Sequence, residues 1–223
     1  MDYSKIPDGA KVIFKAVVGS RAFGTSVEGS DSDIKGVYIQ HSDDILGLNT
    51  YQEHAVINKD ETYYEIRRFI ELLCKANPTC LELVFSPADC ILINEPEFSA
   101  ILETRDLFIT KRCIVTFGHY AMTQLEKGER EGKNNWTKNL LHCRRMVDMA
   151  LEIATTGKIN VRRPNREFLL SIKNGDVDFE ILKENAKKDF EKAKVLSEET
   201  LLSEKADKKF GNQLLVSVRH KFF

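Results

Sequence analysis

The segment that most constrains this chain is Val17 to Ile39, VVGSRAFGTSVEGSDSDIKGVYI. A β-branched run, Lys11 to Val18, stops at Gly19-Ser20. A glycine- and serine-rich stretch follows to Gly29, and Asp31-Ser32-Asp33 then opens a second apolar run, Ile34 to Gln40. The two runs read as strands. The stretch between them reads as a tight turn with about one helical turn at Ala22-Phe23. Residues two apart on a strand share a face, so the spacing predicts Asp31 and Asp33 side by side with Ser32 turned away. Two carboxylates that close are costly without a cation. Mg²⁺ (or Mn²⁺) suits them, because a hard ion takes oxygen ligands and keeps positions open for phosphate oxygens. Gly19 has no Cβ and lets a phosphate approach its backbone. Ser20 offers a hydroxyl and an N–H to that phosphate, and Arg21 adds charge-assisted bonds.

Taken singly these pieces are weak. Asp-x-Asp is common in turns and caps, and Gly-Ser alone carries no meaning. The meaning lies in the ordered set: strand, Gly-Ser, Asp31 eleven positions after Ser20, Asp33, strand. That set fits transfer of a nucleoside monophosphate from a nucleoside triphosphate to a hydroxyl. Two metal ions roughly 3.5–4 Å apart would stabilise the attacking and leaving oxygens.

The rest of the chain divides near residue 110. Before it, a loop through Gly47 and Asn49 leads to an expected third strand, Glu53 to Tyr64. A helix then spans Glu65 to Ala76, with Ile66, Phe69, Ile70 and Leu73 at helical spacing and Asn77-Pro78 as its stop. Leu81 to Phe85 is a short apolar segment closed by Ser86-Pro87. From about Lys111 long helical patterns dominate: Ile114 to Leu125, Trp136 to Thr155 with Gly157 at its end, and Phe179 to Leu196. The expected architecture is therefore α/β (α+β). Residues 1–110 form a core with a mixed sheet, and residues 111–223 form a helical domain.

Composition removes several classes. Lys plus Arg is 33 and Asp plus Glu is 34, a net charge of −1, so no bulk attraction to nucleic acid follows. Met1 to Ala10 lacks the apolar run of a secretory signal. No stretch approaches the ~18 apolar residues of a membrane span. The five cysteines include no Cys-x-x-Cys pair, and the histidines form no His-Glu-x-x-His. Reduced, buried thiols in a cytoplasmic protein are expected.

Gly19-Ser20 followed by Asp31-x-Asp33 resembles the Gly-Ser … Asp-x-Asp motif of the polymerase beta-like nucleotidyltransferases. The longer string GSRAFG…SDSDIKGVYI resembles one branch, the RNA repair pathway DNA polymerase beta family of bacteria and phages. DETYYEIRRFIELLCKANPTCLELVFSP is similar to that branch's strand, helix, Asn-Pro and Leu-Glu-x-x-Phe segment. KNLLHCRR before a glycine-ended helix resembles its second half, and the likeness covers most of residues 11 to 175. The resemblance implies a third metal-binding carboxylate on a later strand. Asp60, Glu61 and Glu65 are candidates, with Asp60 matching best and Glu65 next.

Lys138, His142 and Arg145 are spaced four and three apart and line one face of their helix. They are candidates to hold the triphosphate or an RNA phosphate, against a plain solvated face. Arg162, Arg163 and Arg166 around Pro164 make a second basic knot, readable as a polynucleotide contact or as a loop. His119, Tyr120 and Trp136 are readable as base-stacking residues, but at helical spacing core aromatics are the favoured reading. The acceptor is open among RNA or tRNA, a protein side chain and a small molecule, with RNA favoured by the family resemblance. The competing reading is a non-catalytic nucleotide-binding or antitoxin-like module, which loss of Ser20, Asp31 or Asp33 would have favoured. A third reading, a phosphohydrolase, needs a His-Asp pair with metal spacing, and the sequence offers none.

Overall fold

A computed structural model describes residues 4–48, 51–131 and 136–222. Asn49, where the loop after the second strand was expected to run, lies outside the described residues. Strands β1 (Lys11–Val17), β2 (Ile34–Ile39), β3 (His54–Asn58), β4 (Glu61–Glu65) and β5 (Ile91–Asn94) form one mixed sheet in the order β3-β4-β2-β1-β5. β1 is antiparallel to β2 and β5, β3 is antiparallel to β4, and β2 and β4 run parallel. The register shifts between Val12 and Phe14, and the neighbours Ile13 and Phe14 both enter the main core. A bulge of this kind breaks the strict alternation of a strand. The opposite sheet face carries a small cluster of Tyr38, Ala55 and Tyr63.

The expected single strand from Glu53 to Tyr64 is a hairpin instead. Asn58 Oδ1 accepts from Asp60 N at 2.8 Å. This side-chain bond to its own backbone two residues on closes the turn and holds Asp60 at its exit.

The helices of the first part are α1 (Gly19–Phe23), α2 (Ser42–Leu46), α3 (Ile66–Cys74), α4 (Pro78–Val84) and α5 (Pro96–Thr104). α3 buries the expected stripe of Ile66, Phe69, Ile70 and Leu73, each worth about 2 kcal/mol when removed from water. α4 starts where Asn77 caps Cys80 N and Pro78 enters the first turn, so Leu81 to Val84 is helix.

The second part holds α6 (Lys111–Glu131), α7 (Trp136–Thr156), α8 (Arg166–Asn174), α9 (Phe179–Glu199) and α10 (Lys208–Phe222). α7 packs against α6, α8 and α9, and α10 returns to pack on α3 and α5. One continuous apolar core takes residues from the sheet and from both sets of helices. The five cysteines are free; Cys74 is half-buried and the others are buried. No described helix is long and apolar enough to cross a membrane.

Candidate active site

Where β1 ends, the chain turns at Gly19 with a φ of +67° and enters the short helix α1. A Cβ at Gly19 would lie 2.3 Å from Asp33 Oδ2. Glycine is thus required twice, by its left-handed backbone and by the carboxylate pressed against it. The space that the sequence argument reserves for a phosphate is filled by Asp33.

Asp33 is held from both sides by backbone. Val18 N donates to its carbonyl at 2.8 Å, and the next residue, Ile34, donates from N to the Asp60 carbonyl at 2.7 Å. The parallel pairing of β2 with β4 therefore brings Asp33 and Asp60 together at the starts of these two neighbouring inner strands. Asp31 to Asp33 precede β2 and do not belong to it. Even so, Asp31 and Asp33 line one cavity of about 460 Å³ and Ser32 is not among its walls. Gly19 and Ser20 form the near wall of that cavity. Lys138 and His142 of α7 and Lys173 of α8 form the far wall.

An adjoining cavity of about 180 Å³ shares Gly19, Phe23, Asp33 and His142 with the first, and Asp60, Lys35, Glu82, Tyr120 and Arg145 also line it. Asp33 faces both spaces, Asp31 only the first, and Asp60 only the second. Among the described residues Asp31 and Asp33 have no side-chain ion pair, and Asp60 meets Lys59 at 3.5 Å on the surface. No three His, Cys, Asp or Glu side chains among the described residues are gathered tightly enough to form a metal cage by themselves. The donors are nonetheless all carboxylate oxygens, the set that a hard divalent ion takes alongside phosphate oxygens and water.

The other acidic candidates lie elsewhere. Glu65 is fully buried, capping α3 through Arg67 N at 2.7 Å and accepting from Tyr51 Oη at 2.9 Å and Arg219 Nη2 at 3.1 Å. Glu61 accepts from Lys15 Nζ at 3.0 Å and from Tyr63 Oη. Those two donors, Tyr63 first, hold its carboxyl below the usual range.

The three α7 residues do not share one environment, because helices cover α7 on several sides. Lys138 is exposed at the mouth of the first cavity. His142 lies between the two cavities. Burial first, then the charges of Arg145, Lys138 and Lys127, push its pKa down to about 3, so the imidazole is neutral. Arg145 is 2% exposed. It donates to Glu82 and lays its guanidinium 3.5 Å from the centre of the Phe23 ring. Burial raises the Glu82 carboxyl and Arg145 only partly offsets it. Arg145 thus braces α1 from behind.

Arg21 points away from Ser20, into a separate cavity with Arg162, Arg163 and Arg166. Sequence reading left Lys35 unassigned although it follows Asp33 by two residues, and quoted Glu82 only inside the Leu-Glu-x-x-Phe segment; Lys173 of α8 is brought to the cleft by the tertiary fold. Tyr120, read as a core aromatic, is 41% exposed and faces the smaller cavity.

The profile of the RNA repair pathway DNA polymerase beta family matches residues 2–214. An uncharacterized 38.9 kDa protein of the nrdC-mobD intergenic region of Enterobacteria phage T4 is 26% identical over 113 residues. That match takes in 45% of this chain and 34% of the phage protein, so it spans about a third of the relative. Among solved structures, a nucleotidyltransferase-like protein from Exiguobacterium sibiricum 255-15 aligns over 98% of this chain and 70% of its own, at 12% identity and a TM-score of 0.28. With the match running through the Gly19-Ser20 turn and the paired aspartates and reaching the middle of α10, the chain belongs to the RNA repair pathway DNA polymerase beta family, a polymerase beta-like nucleotidyltransferase family.

Proposed function

We propose that this protein is a metal-dependent nucleotidyltransferase that moves a nucleoside monophosphate from a nucleoside triphosphate to an acceptor hydroxyl, with an RNA or tRNA end as the favoured acceptor. The observation that carries the reading is the Asp33 carboxylate at the junction of two cavities, with Asp31 on one side and Asp60 on the other. Asp31, Asp33 and Asp60 would hold Mg²⁺ or Mn²⁺, which when bound neutralises the charge that develops on the transferring phosphate. Ser20 donates its hydroxyl and Lys138 its ammonium to the triphosphate, and Gly19 lets Asp33 take its position. His142, neutral between the cavities, is a hydrogen-bonding group for the nucleotide and adds no charge to the triphosphate. Arg145 is a positioning residue that sets α1 through Phe23. In the reaction the acceptor hydroxyl gives up its proton to water, its oxygen bonds to the α-phosphorus, the bond from that phosphorus to the bridging oxygen breaks, and pyrophosphate departs with the electron pair.

Residues 1–110 supply the carboxylates in this reading, and residues 111–223 supply the helical wall opposite them. The working compartment is the cytoplasm, consistent with the free thiols. The family's name favours an RNA acceptor. The non-catalytic alternative is disfavoured because Ser20, Asp31 and Asp33 are all retained and all line one cavity.

Incubation with each labelled nucleoside triphosphate and Mg²⁺, with RNA and protein acceptors, followed by mass analysis, tests the proposal. Asp31→Asn and Asp33→Asn should each lower transfer on the order of 10²-fold or more while the fold is kept. Near-normal turnover by either variant at saturating Mg²⁺ would remove that aspartate from the reaction.

A further inference from the structure

Across α1 from Ser20 lies a cavity of about 600 Å³ walled by Arg21, Arg162, Arg163 and Arg166, with Ser26 and Asp89 at its side. Such a concentration of guanidinium stands out in a chain whose net charge is −1. Arg163 is structural. It is 6% exposed, donates to the Asn160 carbonyl at 2.8 Å and pairs with Glu152, while its own N donates to the Phe23 carbonyl at 3.0 Å.

The loop that Arg163 anchors presents the other two arginines outward. Arg166 Nε donates to the Gly24 carbonyl at 2.7 Å, which fastens its guanidinium beside the end of α1. Arg162 Nη2 meets both oxygens of Asp89 at 3.0 and 3.1 Å. The carboxylates that touch these two arginines are exposed, Asp89 by 65% and Glu167 by 86%. Pairs of that kind are weak and screened by salt. Phosphate oxygens match a guanidinium fork in two places at once and exchange readily with such partners. Arg21 is exposed as well, and its polar contact is a long one, 3.5 Å to the Ser30 carbonyl.

We infer that this cavity binds phosphodiester groups of a single-stranded polynucleotide acceptor and holds the strand across α1 from the reacting carboxylates. The inference rests on the proposed nucleotidyl transfer and deepens it by assigning the surface that holds the acceptor strand. The cavity shares no wall residue with the two spaces that Asp31, Asp33 and Asp60 line. A metal-bound triphosphate needs those carboxylates, whereas a phosphodiester strand is neutralised by guanidinium alone. Ser20 and Arg21 are chain neighbours, their Cα atoms about 3.8 Å apart. A strand whose end enters on the Ser20 side therefore keeps its preceding phosphates within reach of Arg21, Arg162 and Arg166.

The test is fluorescence anisotropy of a labelled single-stranded RNA of mixed sequence on the full chain, across a salt series. DNA of the same sequence and inorganic phosphate serve as competitors. The variants are Arg162→Ala/Arg166→Ala and Arg162→Lys/Arg166→Lys, with binding of each nucleoside triphosphate measured by calorimetry alongside. The alanine pair should weaken RNA binding about 10-fold or more and flatten the salt dependence by about 0.7 in log–log slope for each phosphate left without its arginine. The lysine pair should keep most of the slope, and triphosphate affinity should stay within about twofold in both. Competition by DNA as strong as by RNA means that the site reads backbone alone; weaker competition means that it also reads the ribose, and either supports a strand site. The inference is overturned if the wild-type chain binds no RNA. It is equally overturned if a folded alanine pair binds RNA with an unchanged slope, or if triphosphate affinity falls in step with RNA affinity. Failure of the broader reading looks different: RNA would bind as described while no labelled product formed on any acceptor.

Discussion

At Gly19 two demands meet on one Cα. Replacement by alanine forces a side chain into a left-handed φ of +67° and sets its Cβ 2.3 Å from Asp33 Oδ2. The backbone strain costs on the order of 1–3 kcal/mol, and the carboxylate has to swing away from its junction position. Gly19→Ala should therefore lower the unfolding free energy by that amount and reduce nucleotidyl transfer on the order of 10²-fold. Urea titration beside a transfer assay checks both, and a variant with normal activity would show that the Asp33 position is not critical. His142 makes a prediction about pH. Its folded-state pKa of about 3 lies below the ordinary 6.5, so the folded chain binds fewer protons than the unfolded one between those values. Its stabilising contribution is complete above the ordinary value and is lost as pH falls through that window. Wild type should lose more stability than His142→Gln between about pH 7 and pH 5. Parallel curves would mean that the imidazole titrates normally.

Among the elements, α6 and α9 cross unusually closely at Gly118, where a Cβ would come within 1.8 Å of Phe190 Cε2. Alanine normally stabilises a helix by about 1 kcal/mol over glycine. Here the buried ring must move, and overpacking of that kind costs about 1–3 kcal/mol. Gly118→Ala should thus destabilise on balance, and adding Phe190→Leu should recover the loss; calorimetric melting of both variants decides it. Much at this scale was legible in the sequence. The strands at Lys11 and Ile34, helix α3 and its stripe, and the cores of α6, α7 and α9 follow from periodicity and stop signals. The hairpin of β3 and β4 was hidden because Asn58, Lys59 and Asp60 turn through a side-chain bond, without the glycine or proline that marks most turns. β5, α5 and α8 are short, and α10 was passed over although it is as amphipathic as α7. For the site, the Asp31 and Asp33 pair could be read from spacing, and Asp60 was reachable only through the family resemblance. The stripe of Lys138, His142 and Arg145 could not be sorted into exposed, neutral and buried members, because one helix's periodicity does not say how many partners surround it. Glu82 and Tyr120 needed the fold.

On the scale of the whole molecule, the two parts share one core and α10 binds back onto the first of them. Unfolding should accordingly be one transition. Trp136, the single tryptophan, sits at the start of α7 against Phe179 with ring centroids 5.5 Å apart, and it reports on the second part by fluorescence. Far-ultraviolet circular dichroism reports on both. Coincident urea curves are expected, and a fluorescence change well separated from the dichroism change would show that the helical part unfolds on its own. The pairing of Arg219 with Glu65 also bears on how the protein is made. The two residues are 154 positions apart. At roughly 5–20 residues per second, a ribosome needs about 8–30 s to deliver the guanidinium after the carboxylate has emerged. During that interval the nascent sheet and α3 lack the cation that neutralises Glu65, so the half that carries Asp31, Asp33 and Asp60 waits, incomplete and open to chaperones, for a helix encoded far downstream.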